Sequence, residues 1–374
     1  MHIVDITMFY PAQTGGVRTY LSAKSDWLAR QQGIRHTVIA PTSAKPLNNE
    51  HRLISIPSIF IPGAAGIRVP LSSSFAVRQL QALRPDIIEA GDPYQLAWAA
   101  LAAKEALGVP AVAYYHTDLP GIVYQRFGNA ACIAARSYLR RLYRQFDLVL
   151  APSRATLHSL ELLGLQHIRH QPLGVDTRRF NPAFRDAGLR ESLGLPAGAR
   201  VLLYAGRFTR EKRLPILIDA MEKLSAPYHL LMVGSPKPVY SRGRITCLPF
   251  QSTSSLARIM ASCDALVHPG DAETFGLVVL EALASGIPVV GVNAAGVAEL
   301  VDEAVGTLVE PGSSRALADG VRRLFERDLK ALGAAARQRA VERHDWNRVL
   351  PRLLQHYATV LPGAPRPAGV GVLA

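Results

Sequence analysis

At 374 residues the chain is too long for one ordinary domain and suits two of middling size. Hydrophobic residues make up 49 % and charged residues 19 %, which excludes a disordered chain. The formal net charge of +13 is spread along the sequence, with 17 Lys/Arg against 10 Asp/Glu in residues 1–170, and this excludes a basic nucleic-acid-binding tail. Cys132, Cys247 and Cys263 form no CxxC motif and no Cys/His cluster, so a disulfide framework and a zinc site are not expected, and a reducing cytoplasm is. No run of about eighteen apolar residues occurs, so no span of a bilayer is expected.

In chain order, MHIVDITMFY reads as a first strand, His2–Thr7, rather than a secretory leader, since it lacks a charged n-region and a cleavage site. Strands are then predicted over Thr37–Ala40, Ile87–Glu89, Ala111–Tyr115 and Leu148–Ala151, and helices over Val17–Gln32, Ser73–Leu83, Leu96–Leu107 and Cys132–Phe146. The segment Leu173–Asp186 is rich in Pro, Gly, Asp and Asn and reads as a linker. Beyond it, strands are predicted over Val201–Ala205, Leu230–Val233, Ala265–His268, Val289–Val292 and Gly306–Val309. Helices are predicted over Leu214–Leu224, Ser254–Ser262, Gly276–Ser285, Ala295–Val301, Ala316–Phe325 and Trp346–Leu361. Alternation of this kind is the mark of α/β domains with parallel sheets, repeated twice. Such domains bind ligands at their strand C-termini, so the cleft between two of them is the expected site.

No GxGxxG follows the first strand and no GxxxxGK[ST] loop occurs, so neither a dinucleotide fingerprint nor a P-loop is present. Gly15 and Gly16 follow the first strand, where they form either a simple turn or a close backbone approach to an anion at a helix N-terminus. Arg207 and Lys212 lie in GRFTREK, after the predicted strand Val201–Ala205; they are either solvated surface charges or the partners of a diphosphate. Glu273 lies in the loop after the strand ending at His268. Phe275, Gly276 and Leu277 then open a helix whose unpaired N–H groups and dipole favour a phosphate. Glu281 sits in the apolar helix segment VVLEALA, where a carboxylate needs a partner, either a nearby backbone group or a pair of ribose hydroxyls. His116 closes the predicted strand Ala111–Tyr115 and is either a structural histidine or a contact for a sugar hydroxyl or phosphate. His116 and Asp118 lack a third ligand cluster and no DxD occurs, so no metal site is expected.

Taken together, Gly15-Gly16, Arg207 and Lys212 in GRFTREK, and the E-x7-E pair Glu273/Glu281 resemble retaining glycosyltransferase family 4 over nearly the whole chain. The resemblance implies a GT-B fold, two Rossmann-like doubly wound domains facing a cleft. It implies an acceptor-binding domain over residues 1–175, a donor-binding domain over 176–345, a helix over 346–361 packing back onto the first domain, and a flexible tail over 362–374. It implies that Glu273 contacts donor-sugar hydroxyls, Glu281 the nucleotide ribose, and Arg207 and Lys212 the diphosphate. Gly16 would offer its N–H to the distal phosphate, with Gly15 beside it, and His116 would contact the transferred sugar. The backbone at Phe275, Gly276 and Leu277 would complete the phosphate cradle, with no cofactor beyond the nucleotide-sugar co-substrate.

YHTDLPGIVYQRFG with LVHPGDAETFGLVVLEA resembles bacterial GDP-mannose-dependent α-mannosyltransferases and related glycolipid transferases. Transfer of a hexose, mannose in the first instance, to a lipid-linked or oligosaccharide acceptor is therefore expected. A UDP-sugar-dependent transferase of the same fold and a catalytically silent nucleotide-sugar-binding protein are the alternatives. Arg126, Arg136, Arg140, Arg141 and Arg144 occur with no acid among them, either as a solvated helix face or as a contact for an anionic membrane surface, with nucleic acid disfavoured for want of a motif. Ile59, Phe60 and Ile61 form a second candidate bilayer or acceptor contact. The expected location is cytoplasmic, peripheral on the inner face of the cell membrane.

Overall fold

The computed structural model describes residues 1–10, 15–43, 52–60, 68–237 and 239–362. The chain divides into two compact units, one of Met1–Pro152, Leu157–Gln171 and the segment from Val349 onward, the other of Ser153–Thr156 and Pro172–Arg348.

The first unit is built on β1 (His2–Ile6), β2 (Arg35–Ala40), β3 (Arg52–Ser55), a small antiparallel hairpin β4 (Ser58–Phe60) and β5 (Arg68–Pro70), then β6 (Ile87–Ala90), β7 (Ala111–Tyr114), β8 (Leu148–Ala151) and β9 (Ile168–His170). Its helices are α1 (Gly16–Leu28), α2 (Ser73–Leu83), α3 (Gln95–Leu107), α4 (Leu119–Tyr143) and α5 (Arg154–Leu162). Seven strands form one parallel sheet in the order β3-β2-β1-β6-β7-β8-β9. Every residue of β1, β6, β7 and β8 is buried, so β7 and β8 read as continuous apolar runs, while Asp5 of β1 and Glu89 of β6 are buried carboxylates paired with Lys24. The strand order reverses direction between β1 and β6, so the loops after those two strands flank a topological switch point.

The second unit repeats the plan. Its elements are α6 (Ala187–Ser192), β10 (Arg200–Ala205), α7 (Leu214–Lys223), β11 (Tyr228–Ser235), β12 (Tyr240–Arg242), β13 (Ile245–Pro249), α8 (Thr253–Ala261) and β14 (Ala265–His268), then α9 (Leu277–Ala284), β15 (Val289–Val292), α10 (Ala295–Leu300), β16 (Gly306–Val309), α11 (Ser314–Phe325) and α12 (Leu329–His344). The last helix, α13 (Trp346–Ala358), belongs to the first unit from Val349 onward. The sheet order is β12-β13-β11-β10-β14-β15-β16, parallel except for β12, and it reverses between β10 and β14.

Several predicted elements are corrected. Helix α4 begins at Leu119, not Cys132: Asp118 caps it through the Gly121 N–H at 3.2 Å and Pro120 occupies its first turn. Its interior carries Gly128 at φ 77°, and this kink, with Pro120 and Gly121, makes the first half read as a loop in sequence. Helix α12 went unpredicted because its buried positions are Leu332, Gly333, Ala336 and Ala340, small residues that make a weak apolar stripe. The edge strands β3 and β9 and strand β13 were likewise missed. Leu173–Asp186 is no solvated linker: Leu173, Val175 and Phe180 are buried, and the Val175 N–H donates to the His344 carbonyl at 2.7 Å. A Cβ on Gly174 would lie 2.7 Å from the Trp346 ring, so that glycine serves close packing. In the β4–β5 hairpin Ile59 and Phe60 are exposed, while Ile61, the Gln13 and Thr14 approach to Gly15, and the tail from residue 363 lie outside the described residues.

Helix α12 meets the turn that follows α9 backbone to backbone, since a Cβ on Gly333 would fall 2.2 Å from the Gly286 carbonyl oxygen. Gly333→Ala is therefore expected to destabilise the protein by about 1–3 kcal/mol through overpacking, outweighing the gain of about 1 kcal/mol in helix propensity. A thermal midpoint at or above wild type would show that the helix and the turn separate freely.

Candidate active site

In the second unit the switch point sets the loop after β10, residues 206–213, beside the loop after β14, residues 269–276. Backbone contacts shape the first of these. Gly206 and Gly234 end β10 and β11 so closely that a Cβ on Gly234, at φ +109°, would lie 2.3 Å from the Gly206 oxygen. The Tyr204 hydroxyl donates to the Arg207 carbonyl at 2.8 Å and holds the turn. A short 3₁₀ turn at Arg210–Lys212 then brings the Lys212 ammonium onto Glu273 Oε1, across the two loops. His268, the last residue of β14 and only 2 % exposed, reaches the same oxygen through Nε2 at 3.2 Å. Arg213 pairs with Asp271 at 3.2 Å beside them.

This triad sets the charge of Glu273. Burial would raise its pKa, but Lys212 and His268 more than offset that and hold the carboxyl well below the usual carboxylate range. Glu273 is thus an obligate anion bound to a cation. Arg207 stands apart from the cluster: its guanidinium is 65 % exposed and lies 3.8 Å from Glu211 Oε1.

The loop carrying Glu273 is anchored from α10. The Gly296 N–H donates to the Glu273 carbonyl at 3.0 Å, and a Cβ on Gly296 would come within 2.5–2.7 Å of the Phe275 backbone. Phe275 is buried, Gly276 takes φ 99° to turn the chain, and Leu277 begins α9. No side chain caps α9, so its first N–H groups form a donor set for an anion. One turn into that helix, Glu281 is half-buried, and burial raises its pKa to about 8. Glu273 and Glu281 therefore carry opposite shifts, one held ionised by a cation and the other held protonated by apolar surroundings.

In the first unit Gly15, with extended backbone, is the N-cap of α1, and Gly16 is its first residue; no side chain caps this helix either. After β6, Gly91 and Asp92 occupy the other side of the switch point. Asp92 is buried and accepts from Thr7 Oγ1 at 2.8 Å and the Met8 N–H at 2.6 Å, tying the loops after β1 and β6 together. Burial raises its pKa to about 6 despite those bonds. His116 follows β7, its ring stacked on Tyr114 at 4.1 Å and 9°. Burial lowers its pKa to about 4, so the ring is neutral at pH 7. Among the described residues no group of three or more His, Cys, Asp or Glu side chains is placed to hold a metal ion. The sequence reading missed His268, Gly296 and Asp92; only His268 left a signal, as a polar residue closing an apolar strand.

Two doubly wound parallel-sheet units make the molecule a GT-B protein, and solved structures of that architecture superpose on it. They include sucrose-phosphate synthase from Thermosynechococcus elongatus, with a TM-score of 0.78, 22 % identity and coverage of 96 % of this chain and 98 % of that one. HepE of Anabaena in complex with UDP and glucose follows at 0.77 and 21 %, with coverage of 96 % and 99 %. Residues 14–179 match the profile described as Glycosyltransferase Family 4, and residues 187–341 that of Glycosyl transferases group 1. A GDP-mannose-dependent alpha-mannosyltransferase of Mycobacterium tuberculosis is 33 % identical over 353 residues, 88 % of this chain and 89 % of the relative. A Mycobacterium tuberculosis GDP-mannose-dependent alpha-(1-6)-phosphatidylinositol dimannoside mannosyltransferase is 28 % identical over 95 % of both chains. The chain belongs to glycosyltransferase family 4, and it is a glycosyltransferase.

The shift at Glu281 has a consequence for stability. The folded chain keeps this proton up to about pH 8 while the unfolded chain loses it near 4.5, so the folded state binds more protons between those values. Stability from this group therefore falls as pH rises across that window. Glu281→Gln removes the term, and the drop in unfolding free energy from about pH 5 to about pH 8, read by urea titration, is expected to shrink. An unchanged drop would place the raised pKa elsewhere.

Proposed function

We propose that the enzyme is a retaining mannosyltransferase that takes GDP-mannose as donor and a lipid-linked acceptor. The observation that carries this reading is the Lys212–Glu273–His268 cluster beside the uncapped N-terminus of α9, at the switch point of the second unit. The activities of the Mycobacterium tuberculosis relatives support the choice of mannose, GDP and a glycolipid product.

In this reading the diphosphate lies against the α9 N-terminus at Phe275–Leu277, with Glu281 accepting from the nucleotide ribose. Lys212 exchanges part of its contact with Glu273 for phosphate oxygens, and the exposed Arg207 swings in as the second cation. Glu273, freed toward the sugar, accepts from its hydroxyls. The bond from the anomeric carbon to the diphosphate breaks toward an oxocarbenium-like state, and the acceptor hydroxyl attacks from the same face. Its proton passes to the departing phosphate oxygen, so configuration is kept without an enzyme nucleophile. Stabilising the departing charge is the main catalytic contribution, and Lys212 with the helix end supplies it without a further cofactor. Gly16, at the start of α1, is assigned to the distal phosphate and His116 to the transferred sugar, with a neutral imidazole able to donate or accept.

Lys212→Ala is expected to lower turnover about a hundredfold or more while the thermal midpoint stays near wild type, measured as GDP release; near-normal turnover would overturn the assignment. Donor identity is read by thermal shift, where a ligand at about 100 times its Kd adds about 2.7 kcal/mol. GDP-mannose is expected to stabilise; stabilisation by UDP-glucose alone would move the donor, and none by either would favour a silent binding protein.

A second observation supports a membrane partner. Among the described residues no helix is long and apolar enough to cross a membrane. Helix α4, however, exposes Ile122, Tyr124, Phe127 and Ile133 together with Arg126, Arg136, Arg140 and Arg141, and Arg144 follows at its C-terminal end. Each cation contributes about 1 kcal/mol near an anionic surface, which suits peripheral attachment to the inner leaflet. Co-sedimentation with phosphatidylglycerol vesicles, reduced by the pair Arg140→Glu and Arg144→Glu, is the expected result; equal pelleting with phosphatidylcholine would sink it.

A further inference from the structure

Glu273 has two carboxylate oxygens, and the second unit treats them differently. Oε1 receives both the Lys212 ammonium and His268 Nε2, the latter at 3.2 Å. Oε2 has no donor among the described residues. One oxygen is therefore held, and the other is left to accept from a ligand.

The two donors on Oε1 differ in their freedom. Lys212 stands on a short 3₁₀ turn and ends a flexible four-carbon stem, and it is the group that turns toward the diphosphate. His268 has no such freedom. It is the last residue of β14, paired with Gly291 of β15, and is buried. The chain closes over its ring, since a Cβ on Gly270 would lie 3.0 Å from His268 Cε1, the carbon between the two ring nitrogens.

The same surroundings place the proton of the imidazole. Nδ1 is buried and has no partner among the described residues, so a proton there would be an unsatisfied donor. Nε2 has Glu273 as its acceptor, and the ring therefore carries its proton on Nε2 and donates it to Oε1. The backbone of Glu273 is fixed independently, by the Gly296 N–H on its carbonyl at 3.0 Å. Main chain and side chain of this one residue are thus tied from two different elements, α10 and β14.

We propose that His268 is a positioning residue for Glu273: its Nε2–H keeps Oε1 in place while Lys212 turns to the diphosphate, so that Oε2 stays presented to the donor sugar. Without His268, the carboxylate loses its remaining fixed donor at the step in which the departing charge draws Lys212 away. His268 itself touches no reacting atom. Its effect on turnover rests on the reading of Glu273 as a sugar contact; its effect on the carboxylate does not.

Gln and Asn separate the two ring nitrogens, because the Gln amide nitrogen falls near the position of Nε2 and the Asn amide nitrogen near that of Nδ1. In the full chain, with GDP-mannose as donor and water as acceptor, His268→Asn is expected to lower kcat about tenfold and leave KM within about threefold, since the phosphate and ribose contacts are untouched. His268→Gln is expected to keep kcat within about threefold of wild type. In a Glu273→Gln background, His268→Asn is expected to cost nothing further. Equal losses from Asn and Gln, or additive losses in the double variant, would overturn the proposal, since a merely structural role depends neither on which nitrogen is kept nor on Glu273. A readout without turnover is NMR of ¹³Cδ-glutamate-labelled protein. There the Glu273 carboxyl resonance is expected to shift in His268→Asn and to return toward wild type in His268→Gln, while that of the exposed Glu161 stays in place. An unmoved Glu273 resonance would overturn the positioning role. Normal turnover by Glu273→Gln, with the resonance shifted as expected, would instead remove the sugar contact and keep the positioning.

Discussion

The parallel pairing of β10 with β14 puts two loops side by side that are far apart in sequence, and the chemistry of the second unit follows from that adjacency. Neither loop carries much by itself. GRFTREK supplies cations on a turn, and HPGDAETFG supplies an acid and a helix start. Once Leu202 pairs with Ala265, Lys212 and Glu273 meet across 61 positions of sequence, and His268 closes on the same oxygen from the strand between them. The ion pair in turn decides the protonation of Glu273 against the pull of burial. Glycine governs the fit, because Gly206, Gly234 and Gly296 are the points at which neighbouring backbones touch.

The first unit solves a different problem with the same topology. Its switch point lies between β1 and β6, and the groups there are bound to each other rather than exposed as charges: Asp92 bridges the two loops, and His116 is a neutral ring among tyrosines. Charge is withdrawn one layer beneath, into the Lys24 cluster, where it orders side chains instead of meeting solvent.

Most strands and the family were legible in the sequence, because β7, β8, β14 and β15 are short, largely apolar runs between punctuating residues such as Pro110, Asp147, Asp264 and Pro288, and because the E-x7-E and GR…K spacings are local strings. What escaped did so for identifiable reasons. Helix α12 packs through Gly and Ala, which carry no periodic apolar signal; α4 contains a proline and two glycines that read as punctuation; β3 and β9 are edge strands, partly exposed. The stretch from Leu173 to Asp186 looked like a linker by composition, yet its glycine admits the Trp346 ring and its apolar residues are buried.

The sequence by itself determined the alternation of elements, the family, and the identity of Lys212, Glu273 and Glu281 as chemical groups of note, since each of these is written in residue type and spacing. Only the tertiary structure decided their states. That Lys212 is spent on Glu273, that Arg207 stands apart on Glu211, that Glu281 holds its proton to about pH 8, and that Tyr357 reaches Glu89 from 268 positions away are all matters of distance and desolvation. Electrostatic energy depends on separation and dielectric, and neither is a property of position along a chain.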